Sequence, residues 1–309
     1  MQRQRKCWKS FHRFKEEILI KVKDILTGKT KKIKSSELVF CEKKSRDYIL
    51  SIPHSGTLVP SSMLKKIKIS KSMLIGTDLF TRELYNNSRG IHVVSLLNIY
   101  SVNMNRFKHP KKNNKMPIHM RSDPLHEASL TGQTILKNDY SESEKNVLMR
   151  FYKRFHGLIE NSISEMKKQK GFALMFDCHS MNSRGLENTP DKGKERPDFS
   201  IGTLHGNSAD NRIIRSFYNS IKEQADELNL DVKKDKPYSG GFITQKYGNV
   251  LKKINVFQLE VKRNIYMEGG LNGTSGKAFT QKKGRLSRIN SIVSGAFDAA
   301  SKRAEQIFQ

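Results

Sequence analysis

A chain of 309 residues is long enough for one large domain or two small ones, with a sizeable core. Only 36% of it is hydrophobic, yet those residues gather into discrete runs, which excludes a disordered chain. The net charge of +27 is spread over nearly every polar stretch, without a basic module or basic–aromatic interleaving, so nucleic acid is not the expected principal partner.

Residues 1 to 46 are basic and short of strand patterns, and they read as an appendage to a single domain over 47–309. Their one amphipathic stretch, Glu17 to Val22, is expected to form a solvated helix packed on the core. Tyr48 to Ile52 is a short apolar run closed by Pro53-His54-Ser55-Gly56, a buried strand ending in a turn. Asp78 sits where a helix through Glu83, Leu84 and Tyr85 begins, and its local reading is a capping or first-turn acid. Ile91 to Leu97 is a second strand, and Tyr100 to Met104 a third.

A long helix starts at Ser141, where Ser141 to Glu144 spells a capping box. Val147, Leu148, Phe151, Phe155, Leu158, Ile159, Ile163 and Met166 recur at helical spacing, and Gly171 ends the run. Phe172 to Phe176 is apolar throughout, as in a strand covered on both faces. Ser200 to Leu204 is a further strand, 210 to 228 a helix, Ile254 to Val261 a strand and 286 to 308 a last helix. Strands alternating with helices predict a three-layer α/β/α domain around a mixed central sheet.

In such folds ligands bind beyond the carboxyl ends of the strands. His54 and His179 both stand at strand ends, and Glu260 closes the run Val256 to Glu260. Two imidazoles and a carboxylate are parts of a metal-dependent hydrolase. Asp177 beside His179 suits a support for a metal-bound imidazole, or caps a turn. Glu260 is either paired with a cation such as Arg263 or a general base. Arg106 follows the third strand, and its planar fork suits a carboxylate of substrate or of the protein. Tyr238 and Thr244 flank Gly240-Gly241 in a loop that contacts substrate or simply turns the chain. His12, His92, His109, His119, His126, His156 and His205 are not read as ligands.

Cys7, Cys41 and Cys178 form no CxxC pair, which excludes a disulfide framework and suits a reducing cytoplasm. No stretch has the length of a membrane span, and the N-terminus is a poor signal peptide.

Seven segments in order resemble the N-formylglutamate amidohydrolase family: IPHSGTLVP (52–60), GTDLFTRELY (76–85), NMNR (103–106), FDCHSM (176–181), RPDFSIGT (196–203), PYSGGFITQKYG (237–248) and QLEVKRNIYM (258–267). Co-linear motifs are far more specific than any one alone. The resemblance covers about 48 to 270. It implies a phosphorylase/hydrolase-like fold related to zinc carboxypeptidases, one Zn2+ per chain on His54, Asp78 and His179, and Glu260 as the base. It further implies that Arg106 assists catalysis and that Arg106, Arg263, Tyr238, Thr244 and Ser180 meet the substrate. The implied reaction is cleavage of N-formyl-L-glutamate, or of a similar acidic N-acyl amino acid, to formate and the free amino acid, within histidine degradation. An amidase for another N-acyl or N-formimino amino acid is one alternative; a basic nucleic-acid-binding protein on a hydrolase fold is another. The chain departs from the family pattern at Thr57, which leaves no HxxE pair, at Phe107-Lys108-His109, and at Lys262.

Overall fold

The computed structural model describes residues 17–68, 74, 76–108, 123–125, 134–187, 189, 191–269 and 279–309. His12, His109, His119, His126 and Cys7 lie outside them.

The strands are β1 (Leu19–Asp24), β2 (Thr30–Lys34), β3 (Val39–Lys43), β4 (Tyr48–Ile52), β5 (Leu58–Pro60), β6 (Gly90–Ser95), β7 (Ala173–Met181), β8 (Phe199–Gly202), β9 (Val232–Lys234) and β10 (Ile254–Lys262). The helices that matter here are α1 (Thr81–Leu84), α2 (Glu142–Lys170), α3 (Asn211–Asp226), α4 (Phe242–Tyr247) and α5 (Lys283–Phe308). A seven-stranded sheet runs β3-β6-β4-β7-β10-β8-β9. β6, β4, β7 and β10 are mutually parallel, while β3 and β8 pair antiparallel to their inner neighbours.

Side-chain alternation divides the central strands between two cores. Leu50, Ile52, Phe176, Cys178, Phe257 and Leu259 face α3 and α5 through Phe217, Ile221, Val293 and Phe297. Ile49, Met175 and Val256 face α2 through Phe151, Phe155 and Ile159. Helices therefore cover both faces of a mixed sheet, as the alternation of elements predicts.

The long helix begins and ends as its sequence signals. Ser141 Oγ accepts from Glu144 N, and Glu144 Oε2 accepts from Ser141 N at 2.7 Å. Gly171 closes it in the left-handed region at φ 78°.

Two expected elements differ. Glu17 to Val22 is not helical: from Leu19 it is β1, paired with β2 and β5 in a small sheet, with Val22 inward and Lys21 outward. Tyr100 to Met104 is a turn, because the Asn98 side chain accepts from Tyr100 N and donates to Gly56 O and Thr77 Oγ1. From the stretch read as an appendage, β3 joins the central sheet as an edge strand.

Candidate metal centre and base

Parallel register brings the polar residues together. On one face, Ser51, Asp177, Gln258 and Gly202 form a row across β4, β7, β10 and β8, and His179, Glu260 and Ser200 form the next row. Both rows lie past the apolar residues that hold α2, the first midway along β7 and β10 and the second toward their carboxyl ends.

His54 sits in the turn after β4. Asp78 arrives from the segment before α1, its N–H donating to His54 O at 3.0 Å. The cap position of α1 belongs to Phe80, in the left-handed region at φ 63°, so the Asp78 carboxylate is not spent on the helix. Asp78 Oδ2 instead lies 3.0 Å from His179 Nδ1 and 3.5 Å from His54 Nδ1. The imidazole rings stand 4.9 Å apart between centroids. Ligand atoms of His54, Asp78 and His179 all fall within 4.8 Å of one another, and all three residues are buried. Donors about 2 Å from a tetrahedral ion are about 3.3 Å apart, so this nitrogen–oxygen set fits a divalent cation.

Each imidazole is held from behind. His179 Nε2 lies 3.0 Å from Asp177 Oδ2, whose other oxygen accepts from Ser51 Oγ. His54 Nε2 lies 2.8 Å from Asn103 Oδ1. Burial holds His54 below the ordinary imidazole range. Burial also opposes charge on His179, yet the carboxylates of Asp177, Asp78 and Glu260 outweigh it and push its pKa up. Burial works against an ionised Asp78 as well, but its contacts with His179 and His54 hold it well below the carboxylate range.

Glu260 is buried beside this cluster. Burial raises its pKa to about 7, against the charges of His179 and Arg196 and the 2.7 Å hydrogen bond from Gln258 Nε2. A carboxylate poised there suits proton transfer near neutrality. It makes no ion pair with Arg263. Arg263 turns instead to the back of the cluster, its Nη2 3.0 Å from Asp78 Oδ1, Nε 3.0 Å from Ser180 Oγ and Nη1 3.0 Å from Asn182 Oδ1. Ser180 Oγ also donates to Asp78 Oδ1 at 3.3 Å. Arg263 and Ser180, expected to meet substrate, both bond the Asp78 carboxylate.

Arg106 donates to Asn105 O, and burial pulls its pKa down to about 10. Thr244 is buried in α4, with no hydrogen-bond partner for its hydroxyl among the described residues. Tyr238 lies under the guanidinium of Arg196, 5.0 Å from carbon to ring centroid. Arg196 is itself bound to Asp191 and buried. Asn103, Asn105 and Arg196 belong to the site yet were not singled out from sequence, although all three lie in the quoted motifs. An amide carries no local signal of what it will bond.

A mixed α/β sheet with a buried imidazole–carboxylate cluster and a near-neutral glutamate at its strand ends defines a hydrolytic α/β enzyme whose cluster could hold a metal ion. The sequence places it more narrowly. The model of the N-formylglutamate amidohydrolase family matches residues 46–267, and the chain belongs to that family. It is 26% identical over 228 residues to an N-formylglutamate deformylase of Pseudomonas putida, covering 71% of this chain and 81% of that protein. It is 24% identical over 230 residues to one of Pseudomonas aeruginosa, covering 71% and 82%. The solved N-formylglutamate amidohydrolase of Ralstonia eutropha JMP134 shares the fold, with a TM-score of 0.67 at 15% identity over 85% of this chain and 97% of that one. A solved gene product of Agrobacterium tumefaciens gives 0.55 at 13% identity, over 88% and 96%. Among the described residues, no helix is long and apolar enough to cross a membrane.

Proposed function

We propose that this chain removes the formyl group of N-formyl-L-glutamate, or of a closely similar acidic N-acyl amino acid, using one Zn2+ held by His54, Asp78 and His179. The observation that carries the reading is the register of Glu260 beside His179, which sets a near-neutral carboxylate next to a cation-fitting donor set. A divalent cation there would supply Lewis acidity, polarising the amide carbonyl and lowering the pKa of a water to about 7.

The protein groups do the rest. Glu260 takes the proton of the water that attacks the formyl carbon, then returns it to the amine nitrogen as the C–N bond breaks. Formate and free glutamate leave. Arg106 draws in a substrate carboxylate and steadies the developing oxyanion, while Tyr238 and Thr244 line the approach. Arg263 and Ser180 act through Asp78. Small dicarboxylates are also favoured by the chain's net charge of +27.

The test is formate release by zinc-loaded protein from N-formyl-L-glutamate, N-formyl-L-aspartate and N-formyl-L-alanine, with N-formimino- and N-acetyl-L-glutamate assayed for free glutamate. The expected order puts N-formyl-L-glutamate first. The expected effect of Arg106→Ala is to narrow its advantage over the alanine compound. Turnover of none of the panel, by protein with zinc bound, overturns the proposal.

A further inference from the structure

His54 and His179 are braced differently. His179 rests on a carboxylate, Asp177, whereas His54 rests on the neutral amide of Asn103. Which nitrogen of an imidazole carries the proton is set by what the other side of the ring bonds. For His54 that partner can be read from the surrounding bonds.

Asn103 Oδ1 lies 2.8 Å from His54 Nε2 and also accepts the backbone N–H of Asn105 at 2.8 Å. The second contact settles which end of the amide faces His54, since a backbone N–H needs an acceptor. With Oδ1 fixed as acceptor, His54 Nε2 must carry the proton. Nδ1, the atom facing Asp78 Oδ2, is then left with its lone pair pointing into the cluster.

The amide is itself held rigidly. Asn103 is fully buried, and its backbone N–H donates to Pro124 O at 2.7 Å. The next residue is tied to α2, where His156 Nε2 lies 3.0 Å from Met104 O. Two residues on, Asn105 Oδ1 accepts from Ile243 N at 2.8 Å, and its Nδ2 donates toward Asp177 Oδ2 at 3.4 Å. One short segment thus reaches the outer partners of both imidazoles.

We propose that Asn103 is a positioning residue that locks His54 in the Nε2–H tautomer and so presents Nδ1 to the cation site. The role rests on reading His54, Asp78 and His179 as that site. A carboxylate at 103 would hold the same tautomer while adding a further negative charge beside Asp78, Asp177 and Glu260. The amide gives the orientation without that charge.

The tautomer is read directly by nitrogen-15 NMR of the imidazoles in metal-free protein, and cation affinity by Zn2+ competition with a chromophoric chelator. In wild type His54 shows Nε2–H. Asn103→Leu, checked for folding by circular dichroism, loses that signature and binds Zn2+ about 10- to 100-fold more weakly, the range for groups supporting a ligand. Asn103→Asp keeps an acceptor and restores both readouts. Wild-type protein with His54 protonated on Nδ1 overturns the proposal whether or not any variant folds. So does a folded Asn103→Leu with unaltered tautomer and affinity. His54→Ala binding Zn2+ as tightly as wild type sinks the cation reading instead, and the tautomer measurement still decides the role of Asn103.

Discussion

Glu260 and His179 are register partners on adjacent parallel strands, β10 and β7. Neighbouring strands lie about 4.8 Å apart, and side chains at paired positions leave the sheet on the same face. The distance between Glu260 and the cluster is therefore fixed by backbone hydrogen bonds rather than by loops. A slip of one residue in this register would send Glu260 to the α3–α5 side.

Glu260→Gln keeps the shape and the hydrogen-bonding reach but removes the proposed base. Turnover is expected to fall about 10²- to 10⁴-fold, with Zn2+ content unchanged. The sign of the pH effect follows from the ionised form being the active one. Burial raises the carboxyl to about 7, so wild-type kcat/KM declines as pH falls through that region. A bound cation stabilises the carboxylate and places this limb at or below pH 7. Rate–pH profiles of the two proteins decide it: an acid limb surviving unchanged in the glutamine variant removes Glu260 from the role.

Arg263 contacts Asp78 Oδ1 while both side chains are largely buried. Truncation leaves a buried carboxylate short of a partner, which costs about 3–5 kcal/mol. Arg263→Ala is expected to lower stability by that order in urea titration and to weaken Zn2+ binding about 10-fold or more. Arg263→Lys restores charge but not the fork that also reaches Ser180 and Asn182, so its affinity falls between the two. Equal Zn2+ affinity in all three proteins would show that Asp78 needs no support.

Gly241 has an ordinary φ of -87°, so its constraint is space rather than backbone conformation. A Cβ there would stand 2.6 Å from Asn105 Nδ2, inside contact distance. Gly241→Ala must push Asn105 away from Asp177 or displace the loop that carries Tyr238. Overpacking of this kind costs about 1–3 kcal/mol. The expected result is lower stability with KM raised, measured by urea titration and steady-state kinetics. A variant with wild-type values in both would mean the loop yields freely.

Much of this arrangement was legible in the residues. The apolar runs at Tyr48 to Ile52, Phe172 to Phe176 and Ile254 to Val261 are β4, the first part of β7 and nearly all of β10, and His54, His179 and Glu260 stand at or just beyond the close of those runs. The capping box at Ser141 and the glycine at 171 marked the long helix because such signals are local. Glu17 to Val22 misled because six residues with mixed polarity satisfy a helical and a strand pattern alike; its pairing with Thr30–Lys34 decided the matter. Tyr100 to Met104 looked apolar enough for a strand, but Asn98 closes a turn there through bonds to residues 42 and 21 positions away. Local sequence gives Asp78 only a capping signal, since its meeting with His179 spans 101 positions. Asn103 and Asn105 were silent for the same reason: what an amide bonds is a property of the fold.

His156 gives the pH dependence of stability a definite sign. It is buried between α2 and α4, accepting from Tyr247 Oη at 2.9 Å and donating to Met104 O at 3.0 Å. Burial, then the charge of Lys246, lowers its pKa to about 3, so it stays neutral in the folded protein while an unfolded histidine protonates near 6.5. Between those values the unfolded chain binds more protons than the native one. Native stability therefore falls as pH drops from about 6.5 toward 3, with a slope of up to about 1.4 kcal/mol per pH unit from this residue. His92, lowered to about 4 by burial and the charge of Lys44, acts in the same direction. His156→Leu loses two hydrogen bonds and is less stable at pH 7, but its stability declines less steeply between pH 6.5 and 4.5 than that of wild type. Urea midpoints across that range make the comparison. Parallel curves for the two proteins would mean that His156 takes up its proton without leaving the fold, and that acid sensitivity arises elsewhere.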